Sequence, residues 1–135
     1  MRRITLGALL LFIVPAGRAL AQSAPRWQEI GKTSTGNSVY LDPRSVSTKD
    51  GIITATVRVV YAEPVSTPQG AITGSRSVAM FDCAKQLVAV KENIIWHDEK
   101  KGSIYRKSAP KQPGFGVALT STFAHVALEH LCAKK

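Results

Sequence analysis

The stretch IITATVRVVY, residues 52–61, constrains the fold more than any other part of this chain. Apolar residues recur at every second position from Ile53 to Tyr61, and polar residues, Arg58 among them, stand between them. A period of two, rich in β-branched residues, predicts a strand with one buried face. We therefore expect an antiparallel sheet that needs cover on one side.

Shorter segments of the same kind flank this strand and complete a sheet. Asp42-Pro43 and Asp50-Gly51 are typical of tight turns. Prolines and glycines between residues 63 and 74 predict a loop. The predicted strands are about six in number and lie within residues 27–32, 38–46, 52–61, 75–83, 86–96 and 103–108.

The last segment, TSTFAHVALEHLC, has a different period. Apolar residues such as Phe123 and Leu128 fall on one arc at helical spacing, opposite His125. Thr120 or Ser121 is the expected N-cap. One helix after several strands, with no βαβ alternation, predicts an α+β fold. We expect a single antiparallel sheet of about six strands with one C-terminal helix packed on a sheet face.

The N-terminus has the pattern of an export signal. Arginines precede an apolar stretch over residues 4–17, and small residues before Gln22 offer a cleavage site after Ala21. A membrane span needs about 20 apolar residues, more than this stretch has. We therefore expect residues 1–21 to be a cleaved signal peptide, with an uncleaved anchor as the alternative. Residues 22–135 are expected to form one exported domain, periplasmic or secreted, with no membrane span after cleavage. No cysteine lies near the cleavage site, so no lipid anchor is expected.

The net charge narrows the choice of partners. The formal charge of +9 falls to +6 when Arg2, Arg3 and Arg18 leave with the signal peptide. A positive balance favours solubility and weak attraction to anionic surfaces. Nucleic acid is not expected as a partner, because an exported protein rarely meets it.

Two cysteines connect the predicted elements, since Cys83 ends a strand and Cys132 ends the helix. In an oxidising compartment they most simply form one disulfide, which would tie the helix to the sheet. Closing a loop of about 50 residues stabilises a fold by roughly 4 kcal/mol in the chain-entropy treatment. Two buried free thiols are the alternative. Metal binding is disfavoured, because no histidine pair lies nearby at ligand spacing.

Several short motifs follow one another in a set order: Trp27 followed by Ile30-Gly31, VYLDPRSV at 39–46, FDC at 81–83, a proline-glycine stretch, and the helix ending in Cys132. In this order and spacing they resemble the surface-adhesin protein E family of Gram-negative bacteria over residues 27–132. The resemblance implies a curved sheet of about six antiparallel strands, with a C-terminal helix held on one face by a disulfide. It also implies an outer-membrane or exported protein, often dimeric, whose namesake adheres to host extracellular-matrix proteins.

No group of residues predicts catalysis or a cofactor. His97 beside Asp98 is ordinary turn composition. His125 and His130 lie about 140° apart around a helix and cannot share a metal ion. His130 falls on the apolar arc and is expected to be a hydrogen-bonded histidine in the core or at its boundary. We therefore predict a protein that is not an enzyme and has no cofactor or metal site. An enzyme or small-ligand binder is less favoured, because it would need a deep apolar pocket with converging polar groups.

The candidate contact site is a basic run near the last predicted hairpin, consisting of Lys100, Lys101, Arg106, Lys107 and Lys111. It predicts a patch for a protein or anionic glycan partner. The alternative is a solvated hairpin tip that Asp98 and Glu99 partly neutralise. The predicted function is an exported binding protein of the surface-adhesin E type. A periplasmic cell-envelope module with a non-adhesive protein partner is the alternative.

Two neighbouring strands are apolar on both faces. In SVAMFDC, Val78 and Ala79 represent the two faces, and QLVAVKENIIW has the same character. One helix covers only one face of a sheet, and exposed apolar surface calls for a second cover. A homodimer, or the segment at residues 62–74, would supply it.

Overall fold

The computed structural model describes residues 26–133, so the predicted signal peptide lies outside the described residues. Its strands form one antiparallel sheet, and six of them run side by side in the order β1-β2-β4-β5-β6-β7. Short β3 pairs with β4, and short β8 pairs with β6. The bounds are β1 Gln28–Lys32, β2 Ser38–Leu41, β3 Ser47–Lys49, β4 Ile52–Val65, β5 Ile72–Asp82, β6 Leu87–Asp98, β7 Ser103–Ser108, β8 Gly116–Val117 and α1 Phe123–Leu131. The predicted α+β class and the antiparallel sheet are confirmed.

The central strand β4 follows the predicted alternation. Ala55, Val57 and Val59 are buried, whereas the polar residues between them keep partial exposure. At the turn before β3, the Asp42 carboxylate accepts a hydrogen bond from the Arg44 backbone N–H at 3.1 Å. This bond begins a short 3₁₀ turn, as expected of an aspartate followed by proline.

The hairpin between β4 and β5 is longer than predicted. Strand β4 continues to Val65 and β5 begins at Ile72, so the loop expected over residues 63–74 is confined to residues 66–71. The pairing is irregular between Val60 and Val65, where Pro64 stands. Proline is tolerated at such a bulge because its missing N–H removes no ladder hydrogen bond.

The core lies between α1 and one face of the sheet. Val39 and Phe81 are fully buried there, together with Ala127 and Leu128 of the helix. Thr122 is the N-cap in place of the predicted Thr120 or Ser121. The Thr122 hydroxyl donates to the Leu119 carbonyl at 2.7 Å instead of capping a helical N–H.

The helix buries a narrower stripe than its sequence suggested. Only Ala127 and Leu128 are fully buried, and His130 is exposed, so its expected position in the core or at the core boundary is wrong. The helix contacts β1, β2 and β4, and Leu131 in its last turn packs against the core while His130 beside it is exposed. Within the described residues no helix combines the length and apolar character needed to cross a membrane.

A disulfide joins Cys83, just after β5, to Cys132, just after α1. The two Cα atoms lie 5.4 Å apart, within the usual range for a bonded pair. The predicted cross-link is therefore present, and it holds the end of the helix against the sheet.

Candidate functional site

The structure disperses the predicted basic run over the last hairpin. Lys100 and Lys101 lie in the turn after β6, Arg106 and Lys107 lie on β7, and Lys111 follows in a loop. All five are exposed. Arg106 is opposite Ile95 and Lys107 is opposite Ile94 in the ladder. Because successive strand residues point to opposite faces, these two cations leave the sheet in opposite directions.

The acidic residues beside this run do not pair with its lysines. The Asp98 carboxylate accepts a hydrogen bond from the Lys101 backbone N–H at 3.2 Å. Glu99 instead reaches Arg58, with 2.7 Å between the Arg58 Nε and a Glu99 carboxylate oxygen. None of the five basic residues forms an ion pair within residues 26–133. The five cations of the hairpin thus form no ion pair in the described chain, although Asp98 and Glu99 remain beside them in the turn.

A second basic feature, which the sequence did not point to, crosses the sheet. Tyr40 is opposite Arg58, Arg58 is opposite Arg76, Arg76 is opposite Ile94, and Ile94 is opposite Lys107. We call these five residues the arginine row. They form one straight line across β2, β4, β5, β6 and β7.

The arginine row lies on the face of the sheet opposite to α1, which we call the open face. Arg58 stands between Val57 and Val59, which are buried on the helix side. Arg76 likewise adjoins Ser77, whose hydroxyl lies in the other layer, opposite Val57. Alternation therefore directs both arginines away from the helix. The described part of the chain places no helix on the open face.

The Arg58 guanidinium is held on three sides. Its Cζ lies 5.8 Å from the ring centre of Trp27 and 6.0 Å from that of Tyr40, within the range of cation–π attraction. Glu99 supplies the third contact, at 2.7 Å. The Arg58 side chain is 29% exposed. It is thus an oriented cation at the surface and not a freely moving one.

Arg76 has aromatic support but no counter-charge. Its Cζ lies 5.8 Å from the Trp96 ring centre. No carboxylate among the described residues pairs with it. Like charges at directly opposed strand positions destabilise a sheet. Arg58 and Arg76 occupy such positions, and one carboxylate, Glu99, compensates only the first of them.

A cleft of about 260 Å³ lies beside Arg58, with Glu99 and Lys100 also at its wall. Gly74 lines it too, and only glycine fits at this position because a Cβ would stand 2.5 Å from a backbone oxygen of β4. Trp96, only 8% exposed, also lines it, and its indole N–H has no acceptor in the region the structure describes. The cleft is smaller than the 300–1,000 Å³ that is typical of sites for drug-sized ligands.

The histidines take structural positions. The Nδ1 of His97 lies 2.7 Å from the Ala71 carbonyl oxygen, which joins the two long hairpins. His125 lies 3.1 Å from Glu129, one turn along α1. Among residues 26–133, no three histidine, cysteine or acidic side chains are grouped as metal ligands would be.

Sequence reasoning missed the arginine row for a definable reason. Arg58 and Arg76 lie 18 positions apart in the sequence, and only the pairing of β4 with β5 brings them together. The one local signal was that each is a lone cation inside an otherwise uncharged strand core. A lone charged residue within a strand can thus indicate that a neighbouring strand carries another charged residue at the opposite position.

The described chain is therefore a small domain whose sheet is covered by a disulfide-tied helix on one side and carries oriented cations on the other. The family profile described as surface-adhesin protein E matches residues 27–133, and the chain belongs to this family. The resemblance noted in the sequence is confirmed. Membership indicates a surface-adhesin role, an exported location and a non-enzymatic class of protein.

Solved structures of Haemophilus influenzae protein E share the fold. Crystal form II matches with a TM-score of 0.53 and 13% identity, covering 81% of this chain and 88% of that one. The selenomethionine form matches with a TM-score of 0.51 and 13% identity, covering 81% and 87%. Identity this low establishes a common fold and nothing about partners. A search of curated proteins gives no match.

Proposed function

We propose that this protein is an exported adhesin that binds a protein or an anionic glycan through its basic surfaces and catalyses no reaction. The observation that carries the proposal is the exposed positive charge of the last hairpin, where five cations form no ion pair with a carboxylate in the described chain. Such a surface attracts anionic partners. Membership of an adhesin family supports the same conclusion.

Because this electrostatic attraction acts over a short range, the partner must bind close to the hairpin. Salt screens charges beyond about 8 Å at physiological ionic strength. The hairpin meets this condition, because its turn projects from the sheet and its cations are exposed. The binding group of the partner is therefore anionic and reaches the hairpin directly.

The first test is retention on immobilised heparin. Reversing three charges, with Lys100→Glu, Lys101→Glu and Arg106→Glu, is expected to abolish retention at physiological salt. A matched control reverses three exposed lysines away from the hairpin, Lys32, Lys49 and Lys85. Equal elution of both triple variants would show that net charge, and not the hairpin, governs retention.

The cellular location needs a separate test. An adhesin is accessible to protease on intact cells, whereas a periplasmic cell-envelope module with a non-adhesive partner is cleaved only after the outer membrane is opened. Protection of the protein on intact cells would favour the envelope module.

A homodimer is the second proposal, and a specific observation favours it. Val78 and Met80 lie on the open face and remain only half-buried, so apolar surface is available beside the arginine row. A second copy would cover it. Light scattering at tens of micromolar (about the range where weak dimers form) is the measurement, and a monomer mass there would remove this proposal.

A further inference from the structure

We propose that Arg58 and Arg76 form a binding site for a sulfate group of a sulfated polysaccharide, and that Glu99 occupies half of this site until the glycan displaces it. The inference rests on the proposed adhesive function and assigns it a site, a ligand class and an internal competitor. The site differs from the hairpin run, because both arginines belong to the central strands β4 and β5.

The geometry of strand pairing makes the two arginines a unit. Residues directly opposite in an antiparallel ladder have Cβ atoms about 4.5–5.5 Å apart. Arg58 and Arg76 are such a pair, and both point to the open face. Two guanidinium groups on neighbouring stems can contact one anion between them. Arginine is suited to this task because its planar fork matches the oxygen spacing of sulfate, phosphate and carboxylate groups.

Glu99 marks where an anionic oxygen sits. It comes from the turn after β6, lines the same cleft as Gly74, and places its carboxylate 2.7 Å from the Arg58 Nε. A carboxylate has two oxygens, and this one pairs with Arg58 alone. A sulfate ester has three terminal oxygens and a charge that persists at any physiological pH. It therefore satisfies Arg58 and Arg76 together, which Glu99 does not.

The surroundings favour a polysaccharide over a free ion. Trp27 and Tyr40 hold Arg58 in place and add partly exposed aromatic surface beside it, which a sugar ring can contact. Trp96 lines the cleft and also lies beside Arg76, whose Cζ is 5.8 Å from the centre of the Trp96 ring. Lys100 at the cleft and Lys107 at the end of the arginine row extend the positive charge beyond one sulfate.

The test uses the mature protein, exported with its own signal so that the disulfide forms, and measures the Kd for a heparin oligosaccharide by calorimetry. Arg76→Gln is expected to weaken binding about tenfold, because a hydrogen-bonded charged contact is lost. Glu99→Gln is expected to tighten binding about threefold, because the competing carboxylate becomes neutral. Lys85→Gln removes the same charge as Arg76→Gln on an exposed turn remote from the open face, and it should change the Kd less than about twofold.

The opposite signs of two variants on one face make the test specific. If net charge alone governed affinity, Glu99→Gln would also bind heparin more tightly. In that case Lys85→Gln would bind as weakly as Arg76→Gln, and this result would overturn the proposed site. Arg76→Lys keeps the positive charge but lacks the planar guanidinium group. It provides a second test of the site if Arg76→Gln fails to fold. It should bind several-fold more weakly than the wild type with an unchanged unfolding midpoint, and wild-type affinity would contradict the proposal.

Two further arms separate the ligand class and the underlying function. A carboxylated polysaccharide without sulfate, polygalacturonate, should fail to displace heparin at equal charge concentration, and full displacement would overturn sulfate selectivity. A wild-type protein that adheres to matrix-coated surfaces but does not bind heparin would refute this inference and leave the adhesive function intact. Failure in both assays would refute the adhesive function as well.

Discussion

The two faces of the sheet are built from the same strands, but one is a packed apolar core and the other is a partly exposed, charged surface. On the helix side, buried residues such as Val57 and Phe81 pack against α1, and a disulfide closes the assembly. On the open face, their sequence neighbours Arg58 and Met80 are only half-buried, and two arginines oppose each other directly. A shift of one residue along a strand therefore moves from a packed core to a charged surface.

This difference indicates a division of labour between stability and recognition. The helix side contributes apolar burial and a covalent link, which stabilise the native state. The open face carries an opposed pair of like charges, which costs stability. The three predictions below test how strictly the two faces differ.

The largest change in the free energy of unfolding is expected when a core side chain is truncated, and truncation of its neighbour on the open face gives the comparison. Phe81→Ala removes a ring with no exposure and should lower the free energy of unfolding by about 3–5 kcal/mol. Met80→Ala, one residue away on the open face, should cost clearly less, because its half-buried side chain leaves no closed cavity. Urea denaturation monitored by tryptophan fluorescence compares the two. Equal losses would show that the open face is also a packed core, for instance inside a dimer.

The next effect concerns the covalent link on the helix side. Replacing Cys83 and Cys132 together by serine should lower the free energy of unfolding by roughly 2–4 kcal/mol, because the unfolded chain is no longer closed into a loop. The wild type in reducing agent should fall to the same midpoint, whereas the double variant should not respond to reduction. A double variant as stable as the oxidised wild type would mean that packing alone fixes α1.

Prediction from the sequence succeeded where one local period decided the structure. The alternation around Val57 was sufficient to predict a strand, and the helical spacing around Leu128 was sufficient to predict a helix, because burial on one face imposes the pattern. It was wrong over residues 63–74, where Pro64 and Gly70 suggested a loop along the whole segment. There, pairing between distant strands overrode local preference, since a proline at an irregular pair costs the ladder nothing.

The arginine row depended on register, which the sequence does not display. Val78 is opposite Glu92 but Ala79 is opposite Val90, so Lys91 is an extra residue in β6. Such a bulge reverses which side chains of the following segment face the open side. Without it, Ile94 would point to the helix side and the line from Arg76 to Lys107 would be broken. No local signal in the sequence predicts this bulge, so the predicted site stayed on the hairpin, where the basic residues are adjacent in the chain.

The smallest effect, and the closest test of the open face, is the coupling between Arg58 and Glu99. Both side chains are about 30% exposed, so a double-mutant cycle with Arg58→Gln and Glu99→Gln should give a coupling free energy of about 0.5–1 kcal/mol. The coupling should shrink in 1 M NaCl, where the screening length is about 3 Å. Glu63→Gln, at an exposed position of β4, is the control and should change stability by less than about 0.5 kcal/mol. A coupling near zero at low salt would mean that Glu99 does not neutralise Arg58. The open face would then carry two uncompensated arginines, and a glycan sulfate would have no internal carboxylate to displace.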